Sequence, residues 1–265
     1  MTSLVIILLV ILGILIFIFL GFQIKPKSFL LPKLEQLQNR YMQPPSGLPE
    51  PVAHFYQTIY GEEVPIIESV VINGRGRIKP FGIWLPARFI MVHHTGYHYR
   101  HYFEATFFGF PFLRVDEGYL DQVSYFESPM GSHHDDPNTN QAANLALWAE
   151  AGWFPSVWLS DSRARWTPVD AHTATLHVPF ETTEDHLIMR FSPRSGLLEV
   201  TEAMRYKHPG DKEKVLWITH QETRPDGQTI SYVTWHDDGK PWAELEIEEM
   251  YFNLQVDDFL KKRGV

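Results

Sequence analysis

The side chains best able to do chemistry are histidines and carboxylates, and they fall in two groups. His133-His134-Asp135-Asp136 places two imidazoles beside two carboxylates, the donor types that hold zinc or a harder divalent ion. Read as a loop, the same stretch has a structural role open to it. A helix starts directly after it, at Pro137 with Asn138 or Thr139, and acids at that point complement the positive helix end. A metal-dependent hydrolase would need these side chains, with Glu249 as a further acid, to converge within ~3 Å of a common point. Ser132 beside His133 is not a catalytic pair, because adjacency in sequence says nothing about triad geometry.

The second group is His93-His94 with His98 and His101, on two strands joined near Thr95-Gly96. Period-2 alternation sends His94 and His98 to one face and His93 and His101 to the other. Four residues along a strand cover ~13 Å, too far for two ligands on one ion, so a metal there must recruit residues across strands. Asn73-Gly74-Arg75-Gly76 is no phosphate loop, since no amphipathic helix follows it. It reads as a turn or a glycine-bent strand. No motif implies a cofactor.

The element that must position the central groups runs from Asn138 to Gly152, a capped helix with an apolar stripe of Ala142, Leu145, Ala146, Trp148 and Ala149. Gly152 stops it, Trp153-Phe154-Pro155 follows, and Trp158 and Trp166 come soon after. So apolar a helix must be covered. A curved sheet with the helix on its concave face leaves a crevice that Trp148, Trp153, Phe154 and Trp166 would line. Glu249 breaks the alternation of Ala243, Leu245, Ile247 and Tyr251 by falling on their apolar side. It is either beyond the core edge or a buried acid facing that cavity, where its pKa would rise.

Strands dominate elsewhere. Tyr97 to Phe108 is one, and Phe110–Val115 and Tyr119–Phe126 pair around Asp116-Glu117-Gly118. From Arg163 to Phe252 a meander is punctuated by Pro193-Arg194-Ser195-Gly196, His208-Pro209-Gly210-Asp211, Pro225-Asp226-Gly227 and Asp237-Asp238-Gly239. Earlier, Leu34–Tyr41 suggests a short helical patch and Pro51–Tyr60 an amphipathic helix stopped by Gly61. Val256–Lys262 reads as a basic-ended tail helix.

Leu4 to Phe22 carries no charge, and at ~1.5 Å per residue it just spans a ~30 Å hydrocarbon core. No basic start or small-residue cleavage site marks it as a removable signal, so it reads as a retained single-pass helix. Lys25, Lys27, Lys33 and Arg40 follow it, and the positive-inside rule then favours a cytoplasmic body. The expected organisation is an anchor at 1–24, a linker at 25–47, one β-rich domain at 48–255 and a tail at 256–265. Net charge is −9 without a long basic run, which argues against nucleic acid as a partner. The absence of cysteine excludes disulfides, thiolate metal sites and a cysteine nucleophile.

Ala149-Glu150-Ala151-Gly152-Trp153-Phe154-Pro155, followed by Arg165-Trp166, Asp170 and Thr173-Ala174, resembles an uncharacterised bacterial membrane-anchored family of unknown function. Tyr206, Trp235, Gly239-Lys240-Pro241-Trp242, Ile247 and Tyr251 add to the match, as do Leu48-Pro49, Val52 and Trp84-Leu85-Pro86. It covers Leu48 to Phe252 and implies no functional residues. More remotely, the order of elements is similar to the lipoprotein-localisation carriers, whose half-barrel holds acyl chains. That likeness implies a ligand class and nothing finer.

The expected fold is therefore α+β, mainly antiparallel, a half-barrel sheet with a helix on its concave face behind one transmembrane helix. The expected function is a non-enzymatic, membrane-anchored domain binding a lipid or other hydrophobic ligand. A scaffold for a membrane protein partner, and the metal-dependent hydrolase, are the alternatives.

Overall fold

A computed structural model describes residues 2–31, 33–80, 82–224 and 229–264. The chain opens with α1 (Thr2–Gln23), β1 (Arg40–Met42), α2 (Glu50–Ile59) and β2 (Val64–Ile66). A first meander follows: β3 (Ser69–Ile78), β4 (Leu85–His94), β5 (His98–Phe107), β6 (Phe110–Leu120), β7 (Val123–Ser128) and β8 (Gly131–His134). Then come α3 (Pro137–Ala149), a 3-10 turn at Glu150–Trp153 and α4 (Val157–Ser160). The second meander is β9 (Arg165–Asp170), β10 (Thr173–Phe180), β11 (Thr183–Phe191), β12 (Leu198–Arg205), β13 (Val215–Thr223), β14 (Thr229–Trp235) and β15 (Pro241–Phe252), and α5 (Asp257–Lys261) ends the chain. The expected turn at Pro225-Asp226-Gly227 lies outside the described residues.

The two meanders make one antiparallel sheet of 13 strands, ordered β8-β7-β6-β5-β4-β3-β15-β14-β13-β12-β11-β10-β9 and joined where β15 pairs with β3. This order explains the helix on the concave face. The chain leaves the sheet at one edge, β8, and re-enters at the other, β9, so α3 has to cross the hollow between them. It touches β6 and β7 on one side and β10, β11 and β12 on the other. Asp136 caps its first turn by accepting from the Thr139 N–H at 3.0 Å, and every residue from Asn140 to Ala149 is buried.

Each face of the sheet has its own core. The concave cluster gathers Val70, Ile72, Phe89, Met91, Leu145, Trp148, Phe154, Trp158, Leu187 and Trp217. The convex cluster is smaller, with Phe29, Val71, Ile90, Tyr102, Phe259 and Leu260, so the segment after α1 and the C-terminal helix cover the outside of β3–β5. There Arg100 is buried and pairs with Asp116 at 2.8 Å, while the Gly264 N–H also donates to Asp116. Each partner thus keeps its counter-charge when desolvated.

Four expectations change. Asp116-Glu117-Gly118 is not a turn but the middle of β6, and the reversal falls at Asp121-Gln122, where φ is 51° and 67°. The two acids look like turn residues yet are held by Arg100 and His101, and Gly118 is needed because a Cβ there would meet the Tyr99 carbonyl at 2.7 Å. His133 and His134 lie on edge strand β8 and not in a loop. Leu34–Tyr41 is not helical: the Leu37 N–H donates to the Asn253 carbonyl, and Arg40–Met42 pairs with Val64–Ile66, so pairing overrides a weak helical preference. Glu249 lies outside the hollow. A register shift between Ile247 and Glu249 reverses the parity of β15, so Met250 packs on the concave core while Glu249 is exposed beside Asn73 on the convex face.

Candidate functional site

Where α3 ends, the 3-10 turn swings its first and last residues, Glu150 and Trp153, to two parts of the hollow. Trp153 stands half-buried over β12–β15, its indole N–H donating to the Ser231 hydroxyl at 2.8 Å. Beneath it is a cavity of about 50 Å³ lined by Glu150, Leu198, Trp217, Val233 and Leu245, with Thr201 and Thr219 between them. That volume accommodates water, but ligand pockets for drug-sized molecules run to ~300–1,000 Å³. Trp153 is the lining residue whose movement would enlarge the space, and among the described residues its indole is tied by the hydrogen bond to Ser231. The other expected wall residues diverge from Trp153. Phe154 packs its ring 5.1 Å from His93, Trp148 is buried with its carbonyl accepting from the Trp158 indole, and Trp166 meets Trp158 edge-on near the β9 edge.

Glu150 lines this cavity and also reaches a buried polar group on β4, β5 and β6. His93 and His101 are fully buried on the concave face, and Tyr99 stacks on the His101 ring at 4.2 Å. His101 contacts Glu117 through Nδ1 at 3.2 Å, and its Nε2 is 2.9 Å from the Glu150 Oε2. The second contact is poorly aligned for a hydrogen bond, so charge attraction carries it. His93 Nε2 lies 3.5 Å from the same oxygen, and neither of its ring nitrogens has a hydrogen-bond partner. An unsatisfied buried polar group costs ~1–3 kcal/mol, so this orphaned imidazole is a liability in a purely structural cluster. The three ligand atoms of His93, His101 and Glu150 all lie within 4.8 Å of one another.

The environment shifts the two imidazoles in opposite directions. Burial works against a proton on His101, but the Glu150 carboxylate and the hydrogen bond to Glu117 outweigh it and hold the group up to about 9. Burial, followed by repulsion from His101, pushes His93 well below its usual range. Arg205 stacks over Trp217 and Trp235, and burial lowers its pKa against the pull of Tyr99, Glu117 and Glu150. Two imidazoles shifted in opposite directions and a guanidinium thus stand with Glu117 and Glu150 in a desolvated pocket, the setting in which perturbed groups mark candidate functional sites.

The group flagged by sequence behaves otherwise. Asp136 caps α3, Asp135 accepts from the Asn140 side chain, His133 stacks on Phe126 and His134 is exposed. They do not converge on a point. A second trio, His177, Glu184 and His186, is more exposed, and Arg165 already occupies Glu184. Sequence reasoning noticed the shared face of His93 and His101 but missed Glu117, disguised as a turn, and Glu150, which sits off the apolar stripe of its helix.

Residues 39–245 match the profile of a family of unknown function, DUF6544. No curated protein matches the chain. Among solved structures, a LolA superfamily protein from Nitrosomonas europaea is similar at 9% identity and a TM-score of 0.43, covering 80% of this chain and 96% of that one. A putative outer membrane lipoprotein-sorting protein domain from Vibrio parahaemolyticus is similar at 10% identity and a TM-score of 0.38, covering 73% and 89%. At this distance the likeness reaches no residue's role.

Proposed function

We propose that this chain, which belongs to the family of unknown function DUF6544, is a membrane-tethered domain that binds a lipid or other hydrophobic ligand in the crevice under Trp153. The observation that carries this is the crevice itself. Its floor is Trp217, Val233 and Leu245, and one half-buried indole stands at its mouth. Such a ligand displaces Trp153 and covers apolar surface at ~25 cal/mol per Å². A photoactivatable acyl probe added to the full chain in lipid nanodiscs tests this. Adducts on Trp153, Leu198 or Thr219 are expected; labelling confined to α1 and the outer surface refutes it.

The tether supports the same reading. Among the described residues, α1 is the one helix long and apolar enough to cross a membrane. Its last turns pack on the β5–β6 turn: Phe17 lies 4.9 Å from Phe108, Phe22 lies 5.1 Å from Phe107, and the Phe108 N–H donates to the Gly21 carbonyl. Phe110 and Phe112, 75% and 51% exposed, continue from that contact. A retained α1 would set this aromatic tip at the bilayer interface, and Lys25, Lys27, Lys33 and Arg40 after it favour a cytoplasmic body.

A second reading has its own observation. A shallow recess of about 420 Å³ lies beside β1 and the end of β15, and Tyr41, Tyr251 and Phe252 are exposed there. Such a patch suits a membrane protein partner. A photo-crosslinking residue at Tyr251 in intact membranes then yields a discrete protein adduct; its absence removes this reading.

A further inference from the structure

We propose that His93, His101 and Glu150 form a binding site for one divalent transition-metal ion of the zinc class. His93 Nε2, His101 Nε2 and Glu150 Oε2 are buried atoms, lie within 4.8 Å of one another and lack aligned hydrogen-bond partners among the described residues. Ligands of one tetrahedral ion with bonds of ~2.0–2.1 Å stand about 3.3 Å apart. The contacts from Glu150 Oε2, 3.5 Å to His93 and 2.9 Å to His101, bracket that spacing.

The surroundings match as well. Zinc-binding histidines ordinarily give their other ring N–H to a carboxylate, which fixes tautomer and orientation. Glu117 stands 3.2 Å from His101 Nδ1 and does this. The ring of His93 is held instead by Phe154 at 5.1 Å and Tyr99 at 5.9 Å. Glu150 follows the last residue of α3, where the helix dipole is negative, so its carboxylate favours a cation beside it. Two imidazoles and a carboxylate leave a fourth position, and Glu150 also lines the crevice, so that position has a route to solvent.

The test uses the full chain in detergent or nanodiscs, titrated with Zn(II) and, for its visible spectrum, Co(II). One ion per chain is expected, with the intense bands of four-coordinate Co(II). His93→Gln and Glu150→Gln abolish the bands, Glu117→Gln weakens affinity by about 10–100-fold, and His177→Gln in the exposed trio leaves both stoichiometry and spectrum unchanged. A folded wild-type chain that takes up no ion overturns the proposal, as do bands that survive His93→Gln or vanish with His177→Gln. Because replacing a buried imidazole can unfold the chain, X-ray absorption on the zinc-loaded wild type gives a second decision. Two imidazole shells support the site, and an all-oxygen shell overturns it.

Discussion

Replacing Trp153 by alanine separates the stability of the crevice from its capacity. An aromatic side chain buries ~150–250 Å², and Trp153 keeps the greater part of that, so at ~25 cal/mol per Å² the lost burial is worth about 3.5 kcal/mol. Losing the hydrogen bond to Ser231 removes about 1 kcal/mol more, less whatever water returns to that hydroxyl through the opened mouth. Trp153→Ala should therefore cost about 4 kcal/mol in denaturant unfolding without ligand. It also joins the 50 Å³ cavity to the space left by the indole and removes the gate. Uptake of a fluorescent fatty acid should become faster, and ligand at 100 times its Kd should return ~2.7 kcal/mol of stability. A variant that is destabilised as expected but takes up the probe no faster than wild type would refute the gate.

Three other perturbations probe neighbouring features. Gly118→Ala places a Cβ against the Tyr99 carbonyl and the Tyr125 ring, and backbone cannot give way, so a loss of about 1–3 kcal/mol is expected by calorimetry; a neutral result would return this glycine to a turn. Asp136→Ala should cost about 1 kcal/mol in denaturant unfolding by uncapping α3, and leave metal content unchanged. The chain has no cysteine, so a spin label at Phe110→Cys reports depth alone. Relaxation by oxygen should exceed that by a water-soluble agent in nanodiscs, and the reverse would lift the β5–β6 turn off the bilayer.

The legible parts of the fold were those with strong local signals. The charge-free run of α1, the apolar stripe and cap of α3 and the hairpins of the second meander each announce themselves in a few residues. What stayed hidden depends on contacts distant in sequence. Nothing near Ser69 or Phe252 says that β3 and β15 pair and fuse two meanders into one sheet. The bulge that turns Glu249 outward is invisible to a count by twos. Asp116-Glu117-Gly118 has turn composition because acids and glycine also serve a crowded strand, where one acid meets Arg100 and the next meets His101. The histidine cluster is the same case: two strands and a helix end, brought together by a chain crossing from one sheet edge to the other.

Native mass spectrometry of the full chain, released from cell membranes under gentle conditions, bears most directly on the proposed function. A discrete added mass matching a lipid, depleted when Val233 and Leu245 are both replaced by larger side chains that fill the crevice, is the predicted result. Spectra that show bare protein throughout, or an adduct indifferent to filling the crevice, would contradict it.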